Sequence, residues 1–138
     1  RYNLKTDIVE LANAGHQPAL VINNNQFKEY TSNSMPLAVV KHKDESAYKL
    51  EKFSLNEGRI YCFTDGFSEC QDENKNEIGI DGVKKLILKH QNSSLQKELE
   101  NATEEIRLKS LKMNSNESGI KADNEILDDD LTIIGIGK

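Results

Sequence analysis

The chain has 138 residues, enough for one domain with one core. Charged residues make up 30% of it, hydrophobic ones 36%, and the formal net charge is −5. That balance argues against nucleic acid as the main ligand, since phosphate backbones attract basic surfaces, and no apolar run reaches the length of a membrane span.

The first half reads as strands. Ile8 to Ala12 is apolar and ends at a strong turn signal, Asn13-Ala14-Gly15-His16-Gln17-Pro18. Ala19 to Ile22 follows, then a polar turn from Asn23 to Gln26, then Phe27 to Thr31, which together predict a three-strand meander. Met35 to Val40 suggests a loop entering another short extended piece. Tyr48 to Phe53 alternates imperfectly, and Asn56-Glu57-Gly58 is a turn. Arg59 to Phe63 is nearly continuous in apolar character, as a strand buried on both faces would be.

After Gly66 the pattern changes. Gln71 to Glu77 is a polar loop. Ile80 to His90 predicts a helix with Val83, Leu86 and Ile87 on one face and Asp81 as N-cap. Ser93 and Gln96 have capping-box spacing and open a second helix to about Leu111, with Leu95, Leu99, Ala102 and Ile106 as its stripe. Its charged residues, among them Glu98, Glu104 and Glu105, read as a solvated face. Asn114 to Asn124 is a polar loop, and the last strand is Leu131 to Ile136. Strands followed by helices predict an α+β layered fold in a single domain over residues 1–138. The last strand is expected to return beside Arg59–Phe63.

Two acidic stops carry the chemistry. Tyr61-Cys62-Phe63-Thr64 runs into Asp65-Gly66, and Asp128-Asp129-Asp130-Leu131-Thr132 opens the last strand. Clustered carboxylates repel one another and lose hydration at strand ends, so they call for a cation. Hard ions such as Mg²⁺ or Mn²⁺ favour oxygen ligands of this kind. The competing reading of Asp65-Gly66 is a plain turn. Asp129 is the expected ligand of its cluster, with Asp130 in an orienting or turn role and Asp128 a solvated charge. Thr132 either orients a ligand carboxylate or is an ordinary strand threonine. His16 titrates near neutral pH and is a candidate acid or base, against a structural role in its turn. Glu69 either caps its loop or organises water, while His42 and His90 read as surface residues without partners. Cys62 and Cys70 lack Cys-x-x-Cys spacing and read as unlinked thiols of a cytoplasmic protein, Cys62 as a core residue. Asp72-x-Asn74-x-Asn76 starts like a calcium loop but has Glu77 where glycine is needed and Val83 where glutamate is needed.

Taken in order, Asn13-Ala14-Gly15-His16-x-Pro18, Phe63-Thr64-Asp65-Gly66-Phe67-Ser68-Glu69 and Asp129-Asp130-Leu131-Thr132 resemble the SpoIIE/RsbU-type branch of the PPM (PP2C-like) metal-dependent serine/threonine phosphatases. The resemblance covers nearly the whole chain. It implies a β-sandwich flanked by helices and a two-metal Mn²⁺ or Mg²⁺ centre, where a metal-activated water attacks a phosphoserine or phosphothreonine. Asp65 and Asp129 match metal ligands; Gly66 matches a backbone position close to the site. The family also carries an upstream Gly-Asp-x-x-Gly-His-Gly motif whose Asp bridges the metals. No such motif is present in these residues, so the chain is expected to be the C-terminal part of the domain, with weak metal binding and poor turnover alone.

The resemblance implies a phosphoprotein substrate in bacterial signalling, such as an anti-sigma-factor antagonist, with no nucleic acid and no membrane contact. The alternative is a catalytically silent, phosphatase-like module that binds a partner protein.

Overall fold

The computed structural model describes residues 1–37, 39, 48–56, 58–72, 74–91, 94–117 and 130–137, with backbone only for 110–117. In chain order its elements are β1 (Tyr2–Asn3), β2 (Ile8–Leu11), β3 (Ala19–Asn23), β4 (Gln26–Tyr30), β5 (Glu51–Ser54), β6 (Arg59–Phe63), α1 (Asp65–Glu69), α2 (Gly79–His90), α3 (Leu95–Glu117) and β7 (Ile133–Gly137). They divide into two compact units, one of Arg1–Cys62 with Gly135–Lys138 and the other of Phe63–Ile134.

The predicted meander is split between two sheets. One has the order β1-β2-β5 and the other β4-β3-β6-β7, so β2 and β3 are not neighbours. The turn between them is a crossover, because it folds onto itself and onto the chain after β4. The Asn13 side-chain amide donates to the carbonyls of Gln17 (3.0 Å) and Tyr30 (3.4 Å), and its Oδ1 accepts from the His16 amide (3.0 Å). Gly15 has φ +84°, and a Cβ there would collide with the Pro36 side chain, so the crossover needs glycine. The β3–β4 hairpin closes through Asn24 and Asn25 at φ 47° and 61°, the left-handed pair that a two-residue turn of matching twist requires. As the chemistry of the two acidic stops leads one to expect, β7 lies beside β6.

The first unit is a sandwich. Val9 of one sheet packs with Ala19, Val21, Tyr30 and Ile60 of the other and with Leu55, all buried. The rings of Tyr30 and Phe53 stack across the sheets with centroids 4.3 Å apart. Strand β3 is buried at Leu20 and Ile22 as well as at Ala19 and Val21, so both of its faces are covered, the condition its continuous apolar run predicts. Asp7, at φ 56°, ties this unit's turns together. Its carboxylate accepts from the Tyr2 hydroxyl (2.7 Å), the Ser54 hydroxyl (3.1 Å) and the Asn56 amide (2.7 Å).

The second unit is helical, and its buried side chains include Phe63, Phe67, Val83, Leu86, Ile87, Ala102 and Ile106. Each fully buried large side chain of this kind contributes about 1.5–3 kcal/mol. Glu98 is 1% exposed and Glu105 is largely covered, so the predicted solvated face of α3 is corrected at both. Glu98 sits in the first turn, where the helix dipole favours a carboxylate. Glu105 is fixed by α2, with Lys89 Nζ 2.6 Å and His90 Nε2 3.1 Å from its Oε2, and within α3 by Lys109 Nζ at 3.3 Å from Oε1. His90 therefore has the partner that the sequence does not reveal.

Other expectations change at element ends. The N-cap position of α2 belongs to Ile78, and Asp81 instead pairs with Lys84 at 2.8 Å in the first turn. Helix α3 runs on to Glu117, since the next helix breaker after Leu111 is Gly119. Ser93 and His42 lie outside the described residues. Met35, Leu37 and Val39 are exposed and belong to no strand. Asp72 Oδ1 accepts from the amides of Asn74 (2.8 Å) and Asn76 (3.0 Å), closing a small turn.

Candidate metal-binding joint

Strand β6 is followed directly by α1, so Asp65 is the first residue of a short helix, not the corner of a turn. Asp65 is exposed while Gly66, Phe67 and Ser68 behind it are buried. The edge of the Phe67 ring meets Phe63 with centroids 6.4 Å apart, and the Ser68 hydroxyl donates to the Asp65 carbonyl at 3.0 Å. These contacts anchor the backbone from which Asp65 projects. Gly66 has helical backbone, so no left-handed φ calls for glycine there.

The other acidic stop meets this strand end through Thr64. The Thr64 amide donates to the Thr132 carbonyl (3.0 Å), and the Thr64 hydroxyl donates to the Asp130 carbonyl (2.7 Å). The same hydroxyl oxygen accepts from the Thr132 amide at 3.0 Å. Asp130 and Thr132 are both exposed, and Leu131 and Thr132 precede β7 instead of belonging to it. Thr132 also lines an open groove of about 480 Å³ with Leu99, Thr103, Leu131 and Ile133. Asp129 and Asp128 lie outside the described residues.

Asp65, Gly66, Asp130 and Thr132 thus belong to one unit, and His16 to the other. His16 is exposed, with Nδ1 3.1 Å from the Gln17 carbonyl. Glu69 is exposed on α1. Burial pushes the Cys62 thiol upward, away from the thiolate a nucleophile needs, and both cysteines are unlinked.

The donors at the joint are hard oxygens, the class that Mg²⁺ and Mn²⁺ take. Among the described residues no group of three or more His, Cys, Asp or Glu side chains could hold a metal ion. Asp65 and Asp130 supply carboxylates of that class on two chain segments that Thr64 joins. Sequence reasoning passed over Thr64. Its role depends on a bond to a segment 66 residues away, which local pattern does not reveal.

Three solved structures share the fold. The phosphatase domain of the cell fate determinant SpoIIE from Bacillus subtilis (Mn presoaked) is 15% identical with a TM-score of 0.56, covering 99% of this chain and 53% of that one. A second structure of that Bacillus subtilis domain is 15% identical with a TM-score of 0.56, covering 99% and 55%. The RsbU and RsbW domains of Rv1364c from Mycobacterium tuberculosis are 14% identical with a TM-score of 0.60, covering 97% of this chain and 33% of that one. This chain therefore spans about half the length of the SpoIIE domains it matches. The architecture is PP2C-like, as the motif resemblance implies. Curated proteins gave no match. Among the described residues no helix is long and apolar enough to cross a membrane. The profile of the Stage II sporulation protein E (SpoIIE) family matches residues 1–137, and this chain belongs to that family.

Proposed function

We propose that this chain is part of a metal-dependent protein serine/threonine phosphatase domain acting on a phosphoprotein in bacterial signalling. An anti-sigma-factor antagonist in the cytoplasm is the expected substrate. The observation that carries this reading is the Thr64 joint, where the end of β6 that bears Asp65 adjoins the acidic run at Asp130. The likeness to a domain named a phosphatase and soaked in manganese supports it.

Asp65 and Asp129 would hold Mn²⁺ or Mg²⁺, with Asp130, Thr132 and the Gly66 backbone beside them. When bound, such an ion polarises a phosphoryl oxygen and makes water more acidic. The chain's own contribution is orientation. Buried Phe67 and Ser68 keep the Asp65 backbone still, and Asp65 and Asp130 both lie at the surface. His16 is a candidate for proton transfer. Two-metal chemistry needs more ligands than these carboxylates supply, so residues 1–138 alone should turn over poorly.

The test measures Mn²⁺-dependent release of phosphate from a phosphoserine-bearing anti-sigma-factor antagonist by the full-length protein, by residues 1–138 and by full-length Asp65→Asn. Hydrolysis by the full-length protein that falls by about 100-fold or more in Asp65→Asn supports the reading. Binding of the phosphoprotein without hydrolysis by the full-length protein would leave the silent binding module as the function.

A further inference from the structure

We propose that Thr64 is a positioning residue, whose hydroxyl pins the acidic run at Asp130 to the end of β6 and so sets the separation of the Asp130 and Asp65 backbones. The proposal rests on the metal-dependent reading above and adds to it a residue that need not touch the ion.

The local geometry argues against the ordinary role of this threonine. Thr64 occupies the N-cap position of α1 with extended backbone (φ −77°, ψ 162°), where a threonine side chain normally accepts from an amide of its own helix. Its side chain makes no such cap. The Phe67 amide bonds the Thr64 carbonyl instead, at 3.1 Å. The hydroxyl is spent on a segment 66 and 68 residues away, with its one proton on the Asp130 carbonyl and a lone pair on the Thr132 amide. Both bonds have good lengths, and their directions agree with a single orientation of the hydroxyl.

Residues 64 and 132 lie just outside β6 and β7, where regular pairing has ended. The amide of Thr64 makes one further backbone bond, to the Thr132 carbonyl. The hydroxyl then supplies the return bond, taking the Thr132 amide in place of a backbone carbonyl. Valine, the isostere, would fill the same space and keep the Thr64 amide on the Thr132 carbonyl, but would release the Asp130 carbonyl and the Thr132 amide.

The experiment compares wild type, Thr64→Val, Thr64→Ser and Asp65→Asn in the full-length protein. It reads Mn²⁺ affinity by calorimetry, amide exchange at Thr132, and phosphatase kinetics as a function of Mn²⁺. Thr64→Val should weaken Mn²⁺ binding by about 10-fold or more. Its Thr132 amide should exchange faster while that of Ile87 in α2 stays as slow as in wild type. Its activity should return at high Mn²⁺ with substrate KM unchanged, a pattern that general loss of structure would not give. Thr64→Ser, which keeps the hydroxyl, should hold Mn²⁺ affinity within about threefold of wild type. Folded Thr64→Val with wild-type Mn²⁺ affinity would overturn the proposal, as would a large loss in Thr64→Ser. Should Thr64→Val not fold, the serine variant still decides. If Asp65→Asn leaves Mn²⁺ binding intact, the metal reading fails instead, and Thr132 exchange reports whether the joint stands without it.

Discussion

The two units solve the same problem, keeping polar groups inside a small structure, in opposite ways. In the sandwich, the polar side chains that fix turns reach backbone groups. Asp7 takes the Asn56 amide and Asn13 takes the carbonyls of Gln17 and Tyr30, so each fixes a turn. In the helical unit the corresponding bonds run between side chains of different helices, with Glu105 of α3 held by Lys89 and His90 of α2. Turn-fixing bonds are local to the backbone and depend little on salt. Bonds between charged side chains depend on ionisation and are screened by salt. The Glu105 bonds should therefore respond to acid and salt where the turn fixed by the uncharged Asn13 does not.

The largest effects should be shared by both units, because apolar burial dominates each. Ile60→Ala in the sandwich and Ile106→Ala in the helical unit remove side chains that are 5% and 0% exposed. Each should cost about 2–5 kcal/mol in urea unfolding, from lost transfer energy and the cavity left behind. A cost below about 1 kcal/mol at either site would mean that its unit collapses around the gap.

A smaller effect should separate the units by backbone chemistry. Asp7→Ala removes three hydrogen-bond partners and places alanine at φ 56°. The expected cost is about 1–3 kcal/mol, and Asp7→Asn, which tolerates that φ and keeps an acceptor, should lose less. The Tyr2 hydroxyl, whose pKa is raised chiefly by its hydrogen bond to Asp7 and further by burial and the Asp7 charge, should titrate lower in Asp7→Ala. Ultraviolet absorbance of the phenolate reads that shift.

The smallest effect should appear only in the helical unit. Partial burial pushes the Glu105 carboxyl upward, but hydrogen bonds from Lys89, His90 and Lys109 outweigh it and hold the pKa at about 2, against an ordinary 4.5. A carboxyl lowered on folding adds stability that is fully present above about pH 4.5 and is lost as pH falls towards about 2. Glu105→Gln should therefore be less stable than wild type by about 1 kcal/mol at neutral pH. The gap should close through that acid window and shrink in 1 M salt. Thermal melts of both proteins across pH check this. A gap that persists at pH 2 would assign the role of Glu105 to packing.

Much of the fold is legible in the residues themselves. The apolar runs at Ala19–Ile22 and Arg59–Phe63 announce buried strands, and Val83, Leu86 and Ile87 announce one face of α2, because side-chain periodicity is fixed by backbone geometry alone. The two acidic stops are equally local, since an Asp-Gly pair after an apolar run and three successive aspartates need no partner to be noticed. Other features depend on which segments meet. The link from β2 to β3 reads as a hairpin turn until Tyr30 is seen to complete Asn13's bonds, which makes it a crossover. Glu98 and Glu105 read as solvent-facing by charge, until neighbouring helices cover them. Thr64 has no evident role in the sequence, until the arrival of Asp130 and Thr132 gives its hydroxyl partners 66 and 68 residues away. The sequence alone sets where strands, helices and carboxylates lie along the chain, since these follow from propensity and period. Only the tertiary structure decides which polar group bonds to which, because a hydrogen bond needs its partner within about 3 Å, and that proximity is created by packing.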